Sequence, residues 1–161
     1  MEQLGYPPLP FYEEAPETPV SAPQIARDFP LVLTTGGRIP SFFNSEGRQL
    51  AKLRRLQPDP ITEMHPETAA KLDIAEGDWI WIETLRGRIK QRAKLIGGMD
   101  PRVVSSQHGW WFPEEKGAEH GIWQSNVNVL TNTEAPHDPA MGTYQLRALL
   151  CRVSLAERAV T

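Results

Sequence analysis

Only one cysteine, Cys151, occurs in the 161 residues. That excludes an internal disulfide and any metal site built from several thiolates. Long apolar runs are missing: nothing approaches the roughly 20 residues that cross a bilayer. The N-terminus is acidic and proline-rich, not the basic-then-apolar pattern of a signal peptide, so the chain is expected to be soluble. A parent's compartment is not readable from it. No charge of one sign dominates: the net charge is −3, and the whole-chain balance makes no case for nucleic acid. There is no Gly-x-Ser-x-Gly, no Cys/His nucleophile pattern and no Gly-Lys-Ser/Thr ending of a phosphate loop. His65, His108, His120 and His137 lack the spacing of metal ligands. The paired carboxylates, Glu13-Glu14 and Glu114-Glu115, fall in polar loops.

What is present fits one domain with a core of its own. Prolines crowd the first 60 residues, which predicts extended, irregular backbone there. Residues 1–28 read as a proline-rich interdomain linker with Tyr6, Phe11 and Tyr12 as aromatic anchors, or alternatively as a disordered tail. Residues 29–155 read as the folded domain and 156–161 as a polar tail. Cys151, inside the apolar run ALLCRV, reads as a buried, inert thiol.

Residues 61–96 are the most patterned stretch. Ile61–Met64 predicts a short strand. His65 then opens a helix: Pro66 suits the first turn, where its missing N–H has no partner, and Glu67 suits the positive helix end. Gly77-Asp78 turns the chain into Trp79-Ile-Trp-Ile82, apolar on both faces and expected to be covered on both sides. Arg86-Gly87 turns it again, with Gly87 expected at positive φ. On the returning strand Ile89, Ala93 and Leu95 share one face, and Arg88, Lys90, Arg92 and Lys94 the other. Around this stretch, Pro30–Thr34, Val103-Val104 and Leu146–Val153 read as strands. Ser45–Leu56 reads as a short amphipathic helix or irregular coil, with Arg48, Lys52 and Arg55 as a solvated stripe or, alternatively, a phosphate or partner contact. Many short strands with one or two short helices predict a mainly β fold, a barrel with helical decoration.

Three loops carry candidate chemistry. Thr34-Thr35-Gly36-Gly37-Arg38 combines hydroxyls, close-approach glycines and a cation, suited to an anionic or polar ligand, or is a plain turn. His108-Gly109-Trp110-Trp111-Phe112-Pro113 can stack on a flat heterocycle or plug a barrel end. Asn126-Val-Asn128-Val-Leu-Thr131 offers amide donors and acceptors to a pterin or guanine edge, or caps a turn.

In order, PLVLTTGGR, SEGRQ, HPETAAKLDIAEGDWIWIETLRGRIKQRA, HGWWFPE, NVNVLT and HDPAMGTYQLRALLCRV resemble the C-terminal molybdopterin dinucleotide-binding domain of the dimethyl sulfoxide reductase family of molybdenum and tungsten oxidoreductases. The resemblance runs from about Phe29 to Val153. The segment GYPPLPFYEEAPETP is similar to the linker before this domain in anaerobic dehydrogenase-like members. The resemblance implies a double-psi β-barrel, like that of aspartate decarboxylase, which helps cover bis-molybdopterin guanine dinucleotide (Mo-bisMGD, with Mo or W) held mainly by other domains. Position by position it implies cofactor contacts at Thr34, Thr35, Gly36, Gly37 and Arg38. It implies the same at Asn44 and Ser45, where many members carry histidine at the first; at His108, Gly109 and Trp110; and at Asn128 and Arg147. The doubled glycine departs from the commoner Thr-Gly-Arg.

The residues that ligate the metal in this family, and its iron–sulfur cysteines, belong to other segments, so the chain alone is expected not to be catalytic. Implied partners are the remaining domains of a parent oxidoreductase and an iron–sulfur subunit. The alternative is a double-psi barrel used as an adaptor module without cofactor, since fold does not set function. A self-processing decarboxylase is a poor third reading, because the Gly-Ser cleavage dipeptide is absent.

Overall fold

The computed structural model describes Leu9, residues 11–134, His137, Asp138 and residues 141–159. The expected anchor Tyr6 lies outside the described residues. Elements follow in the order α1 (Pro23–Ala26), β1 (Leu31–Gly37), α2 (Ala51–Leu56), β2 (Ile61–Met64), α3 (Pro66–Lys71), β3 (Trp79–Thr84), β4 (Gly87–Leu95), β5 (Val103–Gln107), α4 (Ile122–Ser125), a 3-10 turn (Val127–Val129) and β6 (Arg147–Glu157). The strands close into a barrel ordered β1-β5-β2-β4-β3-β6. Closure leaves no unpaired sheet edge. The β1–β5 and β2–β4 pairs are parallel and the others antiparallel. A mainly β barrel with short helices, consistent with the double-psi barrel, is thus the observed fold.

Alternation builds the core. Ile80 and Ile82 of β3 and Ile89 and Ala93 of β4 point inward with Leu33, Met64, Val104, Leu149 and Val153. The outer face of β3 is covered in part: Trp79 and Trp81 are half-buried, Trp79 packs against the apolar cluster of Ile39, Phe42, Trp110 and Phe112, and cations from β4 lie over both rings. The Arg88 guanidinium lies 4.4 Å from the Trp81 ring centroid, and Arg92 lies 4.4 Å from that of Trp79. Long basic stems cover apolar rings while their charged heads stay hydrated.

His65 caps α3 as expected, its Nδ1 accepting from the Glu67 N–H at 3.1 Å. Residues 45–56, expected as a short helix or irregular coil, divide: Ala51–Leu56 is helical and the residues before it form turns. Arg48 leaves the expected solvated stripe altogether and is 1% exposed. Gly87 also departs from expectation, because its φ is not left-handed. A Cβ there would stand 2.9 Å from Val129 Cγ1 and 3.2 Å from Val129 O. Glycine is therefore required by the approach of the 3-10 turn, not by the hairpin's backbone angles.

Ahead of the barrel, residues 17–26 pack onto it. Buried Glu17 accepts from the Leu150 N–H at 3.1 Å and pairs with Arg86. Ala22 packs with Phe29 and Leu150. At the other terminus β6 runs to Glu157, and the N–H of Ala159 donates to Asp78 at 2.7 Å. Cys151 is fully buried, and burial raises its thiol pKa well above the usual range, in keeping with an inert side chain.

Candidate functional site

The strand directions decide where the loops gather. β1 and β5 run parallel and finish at Gly37 and Gln107, while antiparallel β6 begins at Arg147 opposite Thr34. The loops after β1 and β5 and the one before β6 therefore share one end of the barrel. α4 and the 3-10 turn pack against β4 there.

Between these loops lies a cleft of about 220 Å³ lined by Asn44, Ser45, His108, Gly109, Trp111, Ile122, Asn126 and Asn128. Three distant segments meet in it. His108 joins the first two: its Nδ1 lies 3.2 Å from Gly37 O and its Nε2 3.4 Å from Asn44 Oδ1. The Trp111 indole N–H donates to Ser45 O at 2.6 Å. Gly109 sits so close to the Asn44–Ser45 peptide that a Cβ would come within 3.2 Å of it, and its φ is +70°. Only glycine meets both demands without strain. The Asn126 side chain accepts from the Asn128 N–H at 3.0 Å, shaping the turn that leaves the Asn128 side chain exposed.

The other expected positions divide. Gly36 forms a bulge at φ +87°, and Gly37 returns to the ladder opposite Gln107. The doubled glycine is thereby absorbed as a one-residue register shift between Thr35 and Gly37. Arg38 and Arg147 are exposed, and neither forms an ion pair among the described residues. The Arg147 guanidinium passes over Gly36, 3.9 Å from where a Cβ would be. Thr34 is a ladder residue between Ser105 and Arg147. The Thr35 hydroxyl is already committed to Leu146 O. Trp110 has no accessible surface; it packs edge-on against Phe42 and Phe112. The cleft wall is its neighbour Trp111.

The cleft contains amide, imidazole and indole groups, with no carboxylate among the lining residues, and exposed Arg38 and Arg147 stand at the same end of the barrel. Such a surface suits a ligand combining anionic oxygens with a polar heterocycle. The family described as molydopterin dinucleotide binding domain matches residues 31–149, spanning β1 to β5 and the start of β6.

The chain belongs to this family of molybdopterin dinucleotide-binding domains. It is 46% identical over 145 residues to dopamine dehydroxylase of Eggerthella lenta, covering 90% of this chain and 14% of that protein. It is 37% identical over 151 residues to acetylene hydratase of Syntrophotalea acetylenica, covering 91% of this chain and 21% of that protein. The solved structure of acetylene hydratase from Pelobacter acetylenicus superposes with a TM-score of 0.90 at 35% identity, covering 96% of this chain and 22% of that one. These place the domain among the dimethyl sulfoxide reductase family. The chain therefore spans about a fifth or less of the length of these relatives.

The donor set passes a simple test for the dinucleotide form of molybdopterin. Pyrophosphate needs cations or free N–H groups; Arg147 lies over the Gly36 bulge, and Arg38 follows Gly37 at the same end of the barrel. Pterin and purine edges need paired donors and acceptors, and Asn44 and Asn128 carry them. Trp111 and Asn126 lie in the candidate loops read from the sequence but not among the contacts implied by the resemblance, and Ile122 was not singled out at all. The signal available for Trp111 was the pair of adjacent tryptophans, whose side chains must diverge, one toward the core and one away.

Proposed function

We propose that this domain caps one end of a molybdopterin guanine dinucleotide cofactor within a larger molybdenum or tungsten enzyme, and is not itself the catalyst. The observation that carries the reading is the cleft: Asn44, Ser45, His108, Gly109 and Asn128, scattered over more than 80 residues, line one carboxylate-free hollow. Arg38 and Arg147 take the phosphate side, and Gly36 and Gly37 let the ligand approach the backbone. Asn44 and Asn128 orient the heterocycle through their amides, and His108 holds the Gly37 and Asn44 walls together. When bound, the cofactor supplies the metal chemistry; this chain's residues bind, orient and exclude water. Thr35 and Trp110 serve the scaffold behind the cleft.

The partners in this reading are the remaining domains of the parent enzyme, with an iron–sulfur subunit as a further one. Exposed Phe43, Leu50, Leu56 and Trp123 supply apolar surface for such packing. Calorimetric titration with molybdopterin guanine dinucleotide released from a holoenzyme tests the reading. Weak but saturable binding is expected, because one face of the ligand stays uncovered. Combined His108→Ala and Asn128→Ala changes should lower affinity at least tenfold with little change in Tm. Absence of binding above background, or binding unchanged in the double variant, contradicts it.

A further inference from the structure

Arg48 is a buried cation without a buried anion. Its residue is 1% exposed, and it forms no ion pair among the described residues. Its guanidinium lies 3.9 Å from the Phe42 ring centroid and 4.7 Å from that of Trp110. Nη1 donates to Glu46 O at 3.1 Å, and Nη2 donates to Asn44 O at 2.8 Å and Gly109 O at 3.3 Å. Nε has no partner. A charge taken out of water at this expense needs compensation. Here the compensation comes from three carbonyl dipoles and two aromatic faces. Burial, with nearby Arg54 adding to it, lowers the guanidinium pKa to about 10, so it remains charged at neutral pH.

The acceptors are informative. Asn44 and Gly109 are both walls of the cleft, contributed by the loops after β1 and after β5. Asn44 has φ +47°, a left-handed angle that asparagine tolerates better than most residues. Arg48 Nη2 holds Asn44 O and Gly109 O together, and Gly109 lies so close to the Asn44–Ser45 peptide that a Cβ would come within 3.2 Å of it. A lysine can donate from one point, but it cannot stack on both rings and fork across two loops. An aliphatic side chain would fill the space but leave the three carbonyls unsatisfied.

We infer that Arg48 is a positioning residue of the cleft: a buried guanidinium clamp that ties the Asn44 loop to the Gly109 loop and sets where Asn44, Ser45 and His108 stand for the ligand. This rests on reading the cleft as the cofactor site. Its geometric half is independent of that reading.

The test uses Arg48→Lys and Arg48→Met in the full chain, with two readouts. The first is NMR of the ligand-free protein, following the amides of Asn44, Ser45 and Gly109 and the His108 imidazole, with Asp73–Gly77 at the opposite end as internal reference. The second is calorimetric titration with molybdopterin guanine dinucleotide. Both variants should shift or broaden the cleft signals and leave the reference signals in place. Affinity should fall about tenfold in Arg48→Lys and further in Arg48→Met, with lysine failing to rescue despite its charge. Cleft signals and affinity matching the unsubstituted chain in Arg48→Lys, the milder variant, would overturn the inference even if Arg48→Met does not fold. If the unsubstituted chain binds no dinucleotide, the cofactor reading fails, and the ligand-free spectra still decide whether Arg48 is the clamp.

Discussion

Gly87→Ala should destabilise the domain although the backbone at that position accepts any residue. The added Cβ would lie 2.9 Å from Val129 Cγ1 and 3.2 Å from Val129 O, inside the roughly 3.5–4.0 Å of comfortable carbon contact. The β-branched Val129 has little χ1 freedom with which to retreat, and the carbonyl belongs to the 3-10 turn itself. Overpacking of this kind costs about 1–3 kcal/mol. Reduced freedom of the unfolded chain returns about 0.5–1 kcal/mol, for a net loss of about 1–2 kcal/mol. With a urea slope of about 1–3 kcal/mol per molar, the midpoint should drop by about 0.3–2 M. Because Val129 follows Asn128, the same push should weaken dinucleotide binding. Gly87→Asn separates the two possible reasons for glycine. A left-handed position would accept asparagine better than alanine, whereas close approach ranks glycine above alanine and alanine above asparagine. Alanine as stable as glycine, or asparagine more stable than alanine, would refute the reasoning.

Glu17→Ala should cost about 2–3 kcal/mol in urea unfolding, because it strands the buried Leu150 N–H and the partly buried Arg86; Glu17→Gln, which keeps an acceptor, should cost less, and a neutral alanine variant would mean that residues 17–26 do not stay docked. Ala148 is the extra residue of a bulge where the β1–β6 register shifts between Leu33 and Thr34, at φ +60°. Ala148→Gly should therefore gain about 0.5–1 kcal/mol in thermal unfolding, and a loss would contradict the strain. Burial alone would raise the pKa of the Asp78 carboxyl, but N–H donors from Ala75 and Ala159 and the Arg158 guanidinium outweigh it and hold the pKa below the usual range. A lowered folded-state pKa contributes stability above the unfolded value of about 3.9 and loses it as pH falls toward the folded value. Urea midpoints should accordingly hold steady above about pH 5 and fall below about pH 4, with a shallower fall in Asp78→Asn.

Where local rules act alone, the chain was legible. Alternation put Ile89 and Ala93 on one face of β4, and that face is the inward one; the His-Pro-Glu start of α3 follows from its unpaired N–H groups. The features that escaped depend on partners far away in sequence. Gly87 is shaped by Val129 and Gly109 by the Asn44–Ser45 peptide, and no turn rule contains either contact. Arg48 looked solvated because its spacing matched Lys52 and Arg55; only the meeting of Phe42 with Trp110 makes a slot for it. Gln91 lay in plain view on the inward face between Ile89 and Ala93. It is fully buried and bonded to Thr62, Gln107 and Ser125. Strand periodicity marks such a residue as inward but does not name its partners. In the candidate site, the order of the motifs located the loops. Which residues within a loop face the cleft depends on side-chain direction, and so Trp111 stands where Trp110 was expected.

The account's central claim is that the cofactor lies across the barrel end built by the loops after β1 and β5 and before β6. Amide chemical-shift mapping of the chain titrated with molybdopterin guanine dinucleotide tests it most directly. The account predicts saturable shifts concentrated at Gly36, Gly37, Arg38, Asn44, Ser45, His108, Gly109, Asn128 and Arg147. Shifts centred on the opposite end, at Asp73–Gly77 and Gly97–Pro101, or no saturable shift at all, would contradict it.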